Sequence, residues 1–280
     1  MKTTAKIMML LLLAMSLSLA ACSSDDENSE VEVKVTDAPF PFRFVNEANI
    51  QITAVELLNE NNEYVKVFEG NANINMVNYR NGATANLAVQ AVPPGKYTRA
   101  RVTVEGAELR LTNQLTFRVQ AGLNGTVNTI VSPALVIEEG ESQEILLDID
   151  LSESFVFEGI GGPLGGFITS VTEITGVSSF TPDVRVCNLE LTGSLEGTVT
   201  DTNGEIVADA EVYVEYDYNG DGIPEKVSTV SEEDGSFEIL GLPEGQYTLT
   251  VQAENRVKAT VSVQVEVRKT AQVRVEMGVN

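Results

Sequence analysis

Valine and charged residues alternate in Val31-Glu32-Val33-Lys34-Val35, and the same period of two returns along the chain. Ala100, Val102 and Val104 oppose Arg99, Arg101 and Thr103, and Ile145, Leu147, Ile149 and Leu151 oppose Asp148 and Asp150. Alternation of this kind marks a half-buried strand, because successive side chains leave a strand on opposite faces. The stretch "ATVSVQVEVRKTAQVRVEM" reads as two such strands joined at Arg268-Lys269-Thr270. Helical periodicity is hard to find after Glu30. Many short strands broken by Gly, Pro and Asn predict an all-β chain built as two β-sandwich domains. The breaks put the boundary near 187–193. Residues 31–186 then hold about eight to ten strands, and residues 187–280 hold about seven.

The N-terminus departs from this pattern. Lys2 and Lys6 precede an apolar run from Ile7 to Leu19 and then small residues, which is a signal peptide over 1–21, too short for a comfortable membrane span. Leu19-Ala20-Ala21-Cys22 resembles the lipobox of bacterial lipoproteins. The resemblance implies cleavage before Cys22, acylation of that residue, and the membrane as a partner through its lipid. Residues 22–30 form a polar, acidic tether without apolar side chains. Its Ser-Asp-Asp-Glu start resembles a surface-export signal of Gram-negative lipoproteins, which implies an outer-membrane lipoprotein facing the cell exterior.

Composition narrows the chemistry. Eighteen basic against forty-one acidic side chains leave a net charge of −23, which repels phosphate backbones and argues against nucleic acid. Histidine is absent, so Ser-His-Asp and Cys-His catalysis and His-ligated metals are excluded. Tryptophan is absent too, which weakens a sugar-stacking platform. With Cys22 lipidated, Cys187 has no partner for a disulfide and reads as a small apolar strand residue. Carboxylate-pair hydrolysis survives the test, with Asp148 and Asp150 as the obvious pair. Alternation already explains both as the solvated outer face of a strand, and that reading is preferred here.

Two features invite a ligand. In "EYDYNGDGIPEKV", Asp217, Asn219 and Asp221 alternate, Gly222 follows, and Glu225 comes after Ile223. Counted from Asp217, the side chains, the Ile223 carbonyl and the glycine match the first half of a calcium loop. An EF-hand is excluded, since position twelve is Ser228 and the flanks alternate as strands. Two readings stay open: a Ca2+-clipped hairpin, or a plain turn bent at Asn219-Gly220 and Asp221-Gly222. No other cofactor is expected. The second feature is aromatic. Phe40, Phe42 and Phe44 cluster in one segment, and Phe155, Phe157 and Phe167 in another rich in glycine. They form either an apolar binding rim or plugs folded into the sandwich ends.

Two resemblances cover most of the chain. Gly197, Val199, Asp201, Gly204, Ala210, Val212, the Asp234-Gly235-Ser236-Phe237 turn and Leu242-Pro243-Glu244-Gly245-Gln246-Tyr247 resemble a carboxypeptidase regulatory-like domain, a transthyretin-like sandwich related to Cna-B repeats of adhesins. In it, Asp234-Gly235 suits a type I′ turn. Gly245 delivers Tyr247, Leu249 and Val251 to the core. The stretches "VKVTDAPF", "VNEANIQITAVEL", "PPGKYTRARVTV" and "LLDIDLSESF" resemble the domain of unknown function 4382 family of bacterial lipoproteins. Neither resemblance implies catalysis. The regulatory-like resemblance implies a binding, spacing or docking role, and the leading reading of the whole chain is a non-enzymatic, lipid-anchored display protein that recognises a protein or glycan. Two alternatives are a fibre subunit exchanging Val31–Val35 or Val273–Met277 with a homo-oligomeric partner, and an accessory component of a glycan-uptake system.

Overall fold

The structure is a computed structural model that describes residues 29–38, 42–158 and 170–279. The signal peptide, Cys22, most of the tether, Phe40 and Phe167 lie outside the described residues. The first domain holds β1 (Glu30–Ala38), β2 (Val45–Asn59), β3 (Tyr64–Asn75), β4 (Ala85–Ala91), β5 (Gly95–Leu111), β6 (Thr116–Gln120), β7 (Thr126–Ile137) and β8 (Ser142–Asp150). A single turn of helix, α1 (Leu151–Ser154), leads to β9 (Phe155–Glu158), β10 (Gly176–Phe180) and β11 (Asp183–Asn188).

The first of the two expected β domains forms a nine-stranded, barrel-like sheet in the order β3-β2-β5-β7-β11-β8-β1-β4, with β6 also on β5. A single bridge, Val186 to Val131, joins the two halves at β11 and β7. Long, bulged strands β2 and β5 form the centre of one half. They span 15 and 17 residues, and their ladder slips register at several points, including between Gln51 and Ile52. Each bulge bends and twists its strand, and β5 hands on to β7, the strand that bridges to β11. The inward face carries the alternating set: Val31, Val33, Val35, Ile50, Ile52, Val102, Leu147 and Ile149 are all buried. Strand β1 is laddered on both sides, parallel to β8 and antiparallel to β4, so neither of its edges is free for exchange.

The second domain is a seven-stranded sandwich: β12 (Thr192–Asp201), β13 (Glu211–Tyr216), β14 (Glu225–Val230), β15 (Ser236–Pro243), β16 (Gly245–Gln252), β17 (Ala259–Val265) and β18 (Thr270–Met277). One sheet reads β15-β12-β18 and the other β14-β13-β16-β17. Its separate core is built on Val199, Val212, Phe237, Ile239, Leu249 and Val275. The turn before β15 differs from the expected type I′. Gly235 has φ +79°, but Asp234 is not left-handed. Gly235 donates to the Glu232 carbonyl and Glu232 to that of Ser236, which is a three-residue turn with the glycine in the left-handed position. Between the domains, β11 stays in the first sheet through Asn188. The Asn188 side chain then caps the turn Leu189–Leu191 at Glu190, so the joint is short and hydrogen-bonded.

Candidate functional site

Strands β8 and β11 are antiparallel neighbours, with Asp148 opposite Arg185, Asp150 opposite Asp183 and Leu146 opposite Cys187. Alternation turns this set away from Leu147, Ile149, Val184 and Val186, which fill the first core. The outward face does not meet water. Asp148 and Asp150 are 8% and 9% exposed and Arg185 is 4% exposed, because the second domain lies over them. This corrects the solvated-face reading of the aspartate pair. Arg185 donates from Nη2 and Nε to Asp148 Oδ2 at 2.6 and 3.2 Å. Its other hydrogen bonds cross the joint, to the carbonyls of Leu240 (3.0 Å) and Gly241 (2.7 Å) and to the Tyr216 hydroxyl (3.1 Å). A planar, permanently charged guanidinium suits this work, since it serves several acceptors at fixed angles. Gly241 has φ +68°, and a Cβ there would lie 2.3 Å from Cys187 Sγ, so the second domain approaches as closely as its backbone allows.

The carboxylates around this pair have structural tasks. Asp150 Oδ1 caps α1 by accepting from Ser152 N, Ser152 Oγ and Glu153 N at 2.8, 2.6 and 3.1 Å. Burial pushes its carboxyl up to about 7, against the pull of these hydrogen bonds. Asp183 is raised by burial and then by Glu153 and Asp148. Asp37, at the end of β1, is raised well above its ordinary value by burial, then by Asp150 and Asp148. Among the described residues Asp148 Oδ1 has no hydrogen-bond partner, and the Leu151 backbone N–H pulls the other way on Asp37. The free space lined by Asp148, Asp150, Asp183, Arg185, Tyr218 and Lys226 is about 10 Å3. That is the scale of one water, far below a sugar ring, so these acids do not form a cleft for glycoside hydrolysis.

Three further contacts fasten the joint. Arg80 meets Glu232 in a bidentate pair at 2.9 and 3.0 Å. Asn81, itself at φ 51°, accepts from Glu238 N, and Arg43 approaches Asp209 at 4.0 Å. The signal for Arg185 was present in the sequence as a cation inside the apolar run of "DVRVCNLEL". Nothing local marked Asn81.

The segment 217–225 joins β13 to β14. Asp217, Asp221 and Glu225 each place a carboxylate oxygen within 4.8 Å of the other two. Asp217 accepts from Gly220, Asp221 and Gly222 N–H groups. Asn219 Oδ1 accepts from Asp221 N, Asp221 Oδ1 from Ile223 N, and Glu225 Oε2 from Tyr218 N. The loop therefore holds its shape with its own backbone donors, and three acids converge on one point. A hard divalent cation is the species such oxygens suit.

The aromatic segments divide. Phe155 and Phe157 are 3% and 6% exposed, and the Phe155 ring lies tilted 5.9 Å from that of Phe157 and 4.7 Å from that of Phe180. They are core residues and offer no rim. Phe44 packs half-buried against the same core, with the Arg43 guanidinium 4.7 Å from its ring centre. Phe42 opens the 3-10 turn Phe42–Phe44. A cavity of about 380 Å3 lies elsewhere, on the polar face of β2, β3, β5 and β6.

Comparison with known proteins divides the chain in the same way. A family model for a domain of unknown function (DUF4382) matches residues 28–164, and one for a carboxypeptidase regulatory-like domain matches 194–278. No curated protein matches. Among solved structures, catechol 1,2-dioxygenase of Acinetobacter radioresistens is 14% identical over 32% of this chain and 52% of its own, at a TM-score of 0.27. The 3-chlorocatechol 1,2-dioxygenase of Rhodococcus opacus is 12% identical over 32% and 60%, at 0.27. The dioxygenase domain of a dioxygenase–carbohydrate-binding fusion from Streptomyces sp. SirexAA-E is 13% identical over 32% and 81%, at 0.26. The chain spans about half the length of the first of these, and at such TM-scores the likeness carries no conclusion.

Proposed function

For a chain that joins a DUF4382 domain to a carboxypeptidase regulatory-like domain, we propose a non-enzymatic, lipid-anchored binding protein displayed on the outer surface of a Gram-negative cell. Neither domain family is catalytic. The observation that carries the binding reading is the division of labour among polar groups. Arg185 with its partner Asp148 is committed to holding the domains together, while the groove on β2, β3, β5 and β6 is open and lined by polar side chains. Anchoring rests on Leu19-Ala20-Ala21-Cys22, and outward display on the acidic residues Asp25, Asp26 and Glu27 that follow. Several acyl chains on Cys22 hold firmly, at about 0.8 kcal/mol for each buried methylene.

Cell fractionation and protease shaving test this role together. Cys22→Ser releases the protein from membranes or blocks its processing. Replacing Asp25, Asp26 and Glu27 with Ala leaves the protein lipidated but sheltered from external protease. Equal shedding of the native and acid-less proteins from intact cells refutes outward display.

A further inference from the structure

The 380 Å3 groove follows from strand register. Across the first domain's outer face, Gln51 on β2 stands beside Asn73 on β3 and Gly106 on β5. Gly106 in turn stands beside Gln120 on β6. The next row runs Asn49, Glu108 and Arg118. The first row thus lacks a side chain at its third place. There the ladder also skips Glu105, passing from Gln51–Gly106 to Ile52–Val104, and such a bulge kinks the strand. The result is a trough between Gln51 and Gln120. It cannot be filled from below, since a Cβ on Gly106 would lie 2.6 Å from the Val119 carbonyl oxygen.

The lining is dominated by primary amides: Asn49, Gln51, Asn71, Asn73 and Gln120. Each amide offers donors and an acceptor side by side. Gln51 Nε2 donates to Asn71 Oδ1 at 3.0 Å, so the rim amides orient one another. The two charges in the groove, Glu108 and Arg118, are paired with each other. We infer that this groove binds a neutral polyhydroxylated chain, an oligosaccharide. A hydroxyl both donates and accepts, which matches an amide on both counts. Anionic ligands are repelled by a molecule of net charge −23. A cation finds its one carboxylate already taken, and an apolar ligand would leave the amides unpaired. The volume falls in the range of about 300–1,000 Å3 usual for small-ligand sites. The inference rests on the binding role proposed above and names its ligand class and its site. None of these residues makes the bonds that fasten the joint, so ligand and second domain do not compete.

The test is calorimetry of the full-length protein in detergent micelles. The probes are neutral hexasaccharides (β-1,4-glucan, α-1,4-glucan, β-1,4-xylan and α-1,6-mannan), oligogalacturonate as the acidic counterpart, and an extended Asn-rich peptide. At least one neutral hexasaccharide binds. Gln51→Ala combined with Asn73→Ala weakens it tenfold or more with Tm unchanged, while Gln246→Ala, an amide of the second domain, leaves it intact. Equal affinity in native protein and groove variant refutes the site and leaves the binding role standing. Binding of the acidic sugar or the peptide alone refutes the ligand class. If no probe binds, the inference falls; the binding role falls with it only if the displayed protein also captures nothing from whole-cell surfaces.

Discussion

Arg185 on β11 and Asp148 on β8 meet at 2.6 Å with side chains only 5% and 9% exposed, and the remaining hydrogen bonds of the arginine end on the other domain. One side chain thus neutralises a buried acid and satisfies two backbone carbonyls across the joint. Removing one member of a buried ion pair typically costs about 3–5 kcal/mol, because the other charge stays buried without compensation. Arg185→Ala should therefore lower stability by about that amount in urea or thermal unfolding. It should also split a single transition into two, as the domains lose their coupling. Arg185→Met with Asp148→Leu removes both charges and should recover part of the loss.

The joint reports on itself through Cys187. That thiol is fully buried, and burial raises it to about 11, so at neutral pH it is protonated and shielded. In a Cys22→Ser background it is the sole cysteine. Maleimide labelling should be slow in the native protein. Gly241→Ala forces a methyl into the space held by the Cys187 sulfur, at a left-handed backbone position, and should speed labelling by tenfold or more. Unchanged labelling would mean that the close approach at Gly241 does not govern access.

Stability should fall as pH rises from about 4 to about 7. Asp150 is raised from 3.8 to about 7 by burial, and Asp37 and Asp183 are raised for the same first reason. A carboxyl raised on folding binds its proton more tightly in the folded state. Its favourable contribution is complete below the unfolded pKa and is lost as pH passes through the folded one. The loss attached to Asp150 is on the order of a few kcal/mol. Calorimetric Tm should be higher at pH 5 than at pH 8. Asp150→Asn keeps an oxygen for the helix cap and should flatten that slope; an unchanged slope would assign it to general acidic repulsion.

The loop 217–225 is preformed by its own N–H donors. Chelators should therefore leave the protein folded, and millimolar calcium should raise Tm by only a few degrees. Glu225→Gln removes one of three converging carboxylates and should abolish that rise. No calcium-dependent shift in the native protein would make this stretch a hairpin tip alone.

The alternation of Val31–Val35, Ile145–Leu151 and Val273–Met277 was enough to predict an all-β chain, and the inward members are in the cores. That much is local, because the pleat fixes which side chains share a face. A motif shared by the two domains takes its meaning from the structure. Pro93-Pro94-Gly95-Lys96-Tyr97-Thr98 and Pro243-Glu244-Gly245-Gln246-Tyr247-Thr248 open a long strand in each domain. In both, the tyrosine hydroxyl donates to the carbonyl of the proline four residues upstream, at 2.7 and 2.8 Å. The tertiary structure decided what each face meets. Period two separates Asp148 from Leu147 but is silent on whether the polar side faces water or a second domain. A burial imposed by residues 216–241 on residues 146–187 is long-range and leaves no trace in either stretch alone. The same holds for the groove, where Asn73, Gln51, Gly106 and Gln120 come from four strands and only register brings them into one row.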